Sequence, residues 1–261
     1  MSDFSIPKKS LGQHWLHDIV SLTAMADSVS VAKDDTVLEI GPGLGTLTEV
    51  LLAKGAQVTA VEFDHDLAEQ LPSRVVHPNL KVVEHDILTF DFASLPPNYK
   101  VAANIPYYLT SNLLRVMCES SNPFSSAALL MQKEVAERVC AQPGQMSLLS
   151  VSVQYYCHAS LDMVVPAELF TPPPKVDSQI LVLQYRGAPL FTDVDTTKFF
   201  RLVKAGFSQR RKMLRSSLSA GLAMSKPQVE ELLAKATIDP TLRPQSLSLD
   251  DWHKLYTALY S

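Results

Sequence analysis

Short apolar runs alternate with amphipathic ones over most of the first 187 residues, and the alternation predicts strands and helices in turn. Thr36-Val-Leu-Glu-Ile40 is a short, mostly apolar run that stops at Gly41 and reads as a buried strand. Leu44 to Lys54 follows with helical spacing, and Gly55 ends it as a left-handed C-terminal cap would. Further strand-like pieces are Gln57–Val61, Leu80–Val83, Tyr99–Ala103, Ala127–Met131, Ser150–Tyr156 and Val176–Gln184. Helical pieces fall at Asp64–Pro72, Thr110–Ser120 and Lys133–Ala141, and Asp18 is placed to cap an early helix carrying Ile19, Val20, Leu22, Met25 and Val29. Such alternation implies right-handed βαβ units and a mainly parallel sheet. Leu161–Lys175 reads as the loop joining the last two strands, which would let them pair antiparallel at one edge. After Tyr185 the pattern changes. Gly187 to Asp195 reads as a linker, followed by helices at 196–206, 208–220, 226–236 and 248–260. The expectation is an α/β domain over 1–187 and a small all-helical domain over 188–261.

Composition narrows this little. A length of 261 residues, 46% hydrophobic and 19% charged, suits one large α/β domain plus an appendage. No apolar run approaches the roughly 18–20 residues that cross a bilayer, and Met1 to Lys9 lacks the apolar core of a signal peptide, so a cytoplasmic location is expected. Cys118, Cys140 and Cys157 form neither a disulfide framework nor a zinc signature. His14 and His17 have no further ligand residues clustered near them, so no metal is expected. The net charge of −4 conceals an asymmetry. Between Thr196 and Val229 there is no acid, while Arg210, Arg211, Lys212 and Arg215 crowd together. Charge that matters to a polyanion is local, because cell salt screens beyond roughly 8 Å.

Four clusters at successive strand ends carry the chemistry. Glu39-Ile-Gly-Pro-Gly-Leu-Gly45 permits a sharp turn and close backbone approach to a ligand. It lacks the third glycine position of the dinucleotide fingerprint and the Gly-Lys-Ser/Thr of a phosphate loop, so a ligand bearing adenosine without pyrophosphate suits it better. Glu62 follows Gly41 by about 21 positions, where a carboxylate can accept both ribose hydroxyls; neighbouring Asp64 is placed to cap a helix. Asp86, after the third strand, can accept a hydrogen bond from an adenine amino group. Asn104-Ile-Pro-Tyr107 follows the fourth strand. An exocyclic adenine amine is a poor nucleophile because its lone pair is delocalised. The Asn104 side-chain oxygen and the Ile105 carbonyl can hold its two N–H groups and favour a more tetrahedral nitrogen in the transition state. Pro106 stiffens the turn, and Tyr107 offers a face on which an extruded base can stack.

These motifs resemble those of the KsgA family of ribosomal RNA small-subunit adenine dimethyltransferases, nearly end to end. Gln13-His14-Trp15-Leu16 resembles the family's opening Gln-Asn/His-Phe-Leu, and Glu39–Gly45, Val61-Glu62, His85-Asp86 and Asn104–Tyr107 resemble its cofactor and target motifs. Met131–Val135, Phe170–Ser178, Phe207–Arg215 and Arg243–Ser248 are further similarities. Trp15 and Ile105 depart from the usual Phe and Leu, each remaining apolar. The resemblance implies a class I, Rossmann-like seven-stranded S-adenosylmethionine-dependent methyltransferase fold with a small C-terminal helical domain. It places His14, Leu16 and Gly41 at the methionine end of S-adenosylmethionine, Glu62 at the ribose, Asp86 at the adenine, and Asn104 between donor and target. It implies N6,N6-dimethylation of two adjacent adenosines in a hairpin near the 3′ end of small-subunit RNA, within a 30S assembly particle, by a monomer.

Phe170 opens a stretch braced by Pro172, Pro173 and Pro174 and is placed to close an aromatic sandwich opposite Tyr107, or else to pack in the core. Arg210, Arg211, Lys212 and Arg215 would hold RNA phosphates, positioning the substrate without reading its sequence. Three other readings share parts of the signature. They are a large-subunit RNA adenine methyltransferase of the macrolide-resistance type, a DNA adenine methyltransferase, and a non-catalytic assembly or transcription factor.

Overall fold

Val37 and Leu38 are fully buried because β2 (Thr36–Ile40) lies at the centre of a sheet in the computed structural model, which describes residues 13–106, 109–209 and 211–260. β3 (Gln57–Glu62) and β5 (Lys100–Asn104) flank it in parallel. β4 (Leu80–Glu84) continues beyond β3, and β6 (Ser126–Gln132) beyond β5. β9 (Ser178–Tyr185) then pairs antiparallel with β6, and β7 (Cys157–Val165) pairs antiparallel with β9. Among the described residues the order is therefore β4-β3-β2-β5-β6-β9-β7. The chain leaves β2 first toward β3 and returns later on its other side at β5. That reversal opens a crevice outside the carboxyl ends of the strands, where sheets of this kind bind ligands.

The helices near the rim form for local reasons. α1 (Ile19–Ser28) starts at Asp18, whose side chain accepts from the Ser21 N–H at 2.8 Å, and it buries Leu22, Met25 and Ala26 at helical spacing. α2 (Thr46–Ala53) starts at Gly45, and Gly55 with φ +85° turns the chain out of it. Asp64 accepts from the Asp66 N–H and caps α3 (His65–Arg74), as its position suggests. α4 (Thr110–Cys118) follows the Asn104 turn.

The region after α5 (Lys133–Val139) departs from the sequence reading. Ser150–Tyr156 was expected as a strand; it lies mostly in α6 (Leu148–Gln154). Alternating Val151, Val153 and Tyr155 mimic a strand period. The start is nevertheless that of a helix, because Ser147 and Ser150 cap each other's backbone N–H groups. The strand falls later, over Cys157–Val165, half of it in the expected loop. It is an edge strand whose side chains are mostly exposed or half-buried, so no apolar run announces it. The fold also brings the buried Cys118 and Cys157 thiols to 3.9 Å, a contact between free thiols.

Two compact units divide the chain: residues 1–136 with 157–187, and residues 137–156 with 188–261. The sequence reading put 137–156 in the first. It groups with the second because Tyr155 stacks on Phe199 at 4.9 Å and Tyr156 faces Phe200 at 6.3 Å. The second unit also contains α7 (Thr196–Phe207), α8 (Leu214–Leu222), α9 (Lys226–Lys235) and α10 (Leu249–Tyr260). The expected helix over 208–220 begins at Leu214 instead. Ser208 folds back on the Ala205 carbonyl at 2.7 Å and ends α7, leaving Arg211 and Lys212 in the connecting turn.

Candidate active site

The rim of the first unit encloses a cavity of about 410 Å³, a volume suited to one small molecule. Its floor is the glycine loop. Gly41 has φ +66°, and a Cβ there would meet nothing within 4 Å, so the backbone itself is presented to a ligand. Gly43 is constrained by packing instead. With φ +55°, its added Cβ would stand 2.5 Å from Trp15 Cζ3, so the indole lies directly on the loop. The indole N–H is buried, with no acceptor among the described residues.

Glu62, at the end of β3, is 6% exposed and ties the loop in place. Its oxygens accept from the Gly43 N–H at 3.1 Å and the Asp64 N–H at 2.9 Å. Burial pushes its pKa up, while those two N–H groups favour the carboxylate. A carboxylate offers about four acceptor sites, so capacity remains for a ligand in the cavity that Glu62 lines. Asp86 lines the same cavity beyond β4, oriented by the Leu88 N–H at 2.9 Å.

Asn104 closes β5 on the other side. Its Nδ2 donates to the His14 carbonyl at 3.2 Å, which leaves the side-chain oxygen, to which no hydrogen bond among the described residues runs. The Ile105 N–H is spent on Leu130, and the Pro106 carbonyl accepts from the Leu109 N–H at 3.0 Å, forming the turn into α4. Tyr107 lies outside the described residues.

Residues 13–16 line one side of this cavity. β1 (Trp15–Leu16) pairs antiparallel with β8 (Phe170–Thr171), Leu16 opposite Phe170. The Thr46 hydroxyl donates to the Leu16 carbonyl at 2.9 Å, and His14 Nδ1 lies 2.7 Å from the Pro172 carbonyl. Phe170 is 3% exposed and belongs to the core cluster, yet it also lines the cavity. His14, Leu16, Gly41, Glu62, Asp86, Asn104, Pro106 and Phe170 therefore share one lining.

The basic cluster is divided. Arg211 and Lys212 are exposed, Arg210 lies outside the described residues, and Arg215 donates to Glu230 at 2.6 Å. The acid-free run ends at Glu230, and α9 brings that carboxylate against Arg215.

Sequence reasoning gave Glu39 no role of its own. It is 1% exposed, lines the cavity, and neither of its oxygens has a well-aligned hydrogen-bond partner among the described residues. Burial pushes its pKa up to about 8, the Glu62 charge adding to the rise; the Thr48 hydroxyl and N–H oppose it without forming a well-aligned hydrogen bond. The available signal was a carboxylate inside an otherwise apolar strand.

The profile of the ribosomal RNA adenine dimethylase family matches residues 5–260. Ribosomal RNA small subunit methyltransferase A of Lactococcus lactis subsp. lactis is 41% identical over 98% of this chain and 91% of its own length. The solved structure of a dimethyladenosine transferase from Plasmodium falciparum superposes with a TM-score of 0.78 at 26% identity, covering 92% of this chain and 95% of that one. That of the 23S rRNA methyltransferase ErmE superposes at 0.74 and 28% identity, covering 95% and 100%.

Proposed function

Since the chain belongs to the ribosomal RNA adenine dimethylase family, we propose that it dimethylates N6 of two adjacent adenosines in small-subunit ribosomal RNA, with S-adenosylmethionine as methyl donor. The observation that carries this reading is Asn104. Its amide nitrogen is held by the His14 carbonyl, so its oxygen is available as an acceptor at the rim of a nucleoside-sized cavity. The cavity fits this donor chemically. Three acids line it and no Lys or Arg does so among the described residues, which favours a net cation over a phosphate.

In this proposal Glu62 accepts the ribose hydroxyls, Asp86 accepts from the adenine amine, and the backbone of Gly41 together with His14 and Leu16 frames the methionine end. S-adenosylmethionine supplies an electrophilic methyl group on its sulfonium. Asn104 Oδ1 and the Ile105 carbonyl hold the target N–H groups, orienting the nitrogen lone pair and stabilising its pyramidal form. Pro106 stiffens that turn, while Tyr107 and Phe170 sandwich the base. Arg210, Arg211 and Lys212 hold RNA phosphates, with Arg215 steadying the helix behind them. We place the protein in the cytoplasm, acting as a monomer on a 30S assembly particle; none of the described helices is long and apolar enough to cross a membrane.

The test is incubation with labelled donor and isolated ribosomal subunits, followed by mass spectrometry of RNA fragments. Paired dimethyladenosines in small-subunit RNA are expected. Label confined to large-subunit RNA would favour the reading suggested by the likeness to the 23S rRNA methyltransferase. Label in neither would remove the assignment.

A further inference from the structure

The two walls of the proposed base site come from segments far apart in sequence, and one residue touches both. Asn104 closes β5, while Phe170 stands on β8. β1 pairs with β8 through Leu16 opposite Phe170 and Trp15 opposite Thr171. The next step of that register sets His14 against Pro172, which has no N–H to give. A side chain makes the contact instead: His14 Nδ1 lies 2.7 Å from the Pro172 carbonyl, across 158 positions of sequence. A carbonyl only accepts, so Nδ1 carries the hydrogen and donates it. The His14 backbone carbonyl in turn accepts from Asn104 Nδ2 at 3.2 Å. One residue thus holds the Asn104 amide with its carbonyl and the segment after Phe170 with its ring.

We propose that the His14 imidazole is a positioning group for methyl transfer, a side-chain tie that keeps the Asn104 acceptor aligned with the Phe170 face; the inference rests on the target-amine reading above. The amine of a stacked base moves with its ring. A shift of Phe170 against Asn104 therefore spoils the hydrogen bond to that amine while both residues stay intact. The β1–β8 pairing spans only two residues on each strand, and the imidazole adds a third tie at the residue that also holds Asn104. Without the ring, residue 14 is freer to turn, and the carbonyl that orients the Asn104 amide turns with it. His14 is half-buried, so water competes for the Pro172 carbonyl and the expected loss is about tenfold, less than removal of Asn104 itself. An Asn at position 14 carries an N–H as many bonds from Cβ as His Nδ1 does. A Leu has nearly the outline of Asn and no donor.

The test is steady-state methylation of isolated small ribosomal subunits by the whole chain carrying His14→Leu or His14→Asn. His14→Leu should lower kcat about tenfold, with KM for donor and for subunit within about threefold of the parent, and His14→Asn should regain about half of the parental kcat or more. In an Asn104→Ala background, His14→Leu should cost less than about twofold, because the tie acts through the amide. Parental kcat in the Leu variant, equal loss in both variants, a change confined to the donor KM, or fully additive losses each overturn the inference. The unaltered chain gives an independent reading. Nitrogen NMR of the neutral His14 ring should show Nδ1 protonated, and an Nε2–H tautomer overturns the tie whether or not the variants fold. Should the parent leave the small subunit unmethylated, the functional reading falls; should it methylate with an Nε2–H ring, only the role of His14 falls.

Discussion

Among the described residues the Asn104 side chain makes one hydrogen bond, and its direction matters more than its strength. With Nδ2 committed to the His14 carbonyl, the oxygen is the end left for a substrate amine. Asn104→Ala removes that acceptor and should lower the methylation rate about 10²–10³-fold, the range seen when one positioned polar group is lost from a transition state. RNA affinity, measured by filter binding, should stay within a few-fold of the parent. A variant that methylates at the normal rate would show that Asn104 has another job. The Asn-Ile-Pro-Tyr run at a strand end is local and was legible in the sequence, but its support was not. His14 lies 90 positions away, and nothing in either segment announces that they meet. The same holds for Glu39, which β3 and β5 flank only with Ala60 and Ala102.

The pairing of β1 with β8 couples two segments that each carry proposed site residues. Phe170 is buried there and lines the cavity too, so truncation and conservative change should separate its two duties. Phe170→Ala should cost about 3–5 kcal/mol in chemical denaturation, as deletion of a buried ring does. Phe170→Leu should cost only about 1–2 kcal/mol yet still slow methylation, because the stacking face is gone. Equal methylation by the Leu variant and the parent would assign Phe170 to packing alone. The turn between α7 and α8 gives a second comparison. Replacing Arg211 and Lys212 with Ala should weaken RNA binding and flatten its dependence on log salt by about 1–2. Arg215→Ala should act more on stability, since its partner is Glu230. A similar loss of salt slope from Arg215→Ala would place that side chain on RNA as well.

Stability of the whole molecule should carry the mark of Glu39. Its pKa is about 8 folded and close to 4.5 when exposed, so between those values the unfolded chain has lost a proton that the folded chain keeps. Folding stability from this group is therefore full below about pH 4.5, declines as pH rises, and levels off above about 8. The donor-free parent should lose stability relative to Glu39→Gln across that window, by up to a few kcal/mol. The change in the difference with pH is the readout, since an amide at this position has a constant cost of its own. A difference that stays flat from pH 5 to 8.5 would mean that Glu39 is ionised in the empty cavity.

The strand–turn–helix succession, the glycine loop, the cap at Asp64 and the four chemical clusters at strand ends could be read from residues alone, because each depends on neighbours within a few positions. Period, turn chemistry and capping are short-range physics. Other features waited on distant contacts. Val151, Val153 and Tyr155 alternate like a strand, but they belong to a helix that starts at a serine cap, and the Tyr155 ring lands on Phe199. The edge strand at Cys157–Val165 had no apolar run to betray it. The Arg215–Glu230 pair and the solitude of Glu39 likewise came into being only when separate segments closed on each other. Burial and charge pairing belong to surfaces that meet in space, and a linear order of residues does not contain them.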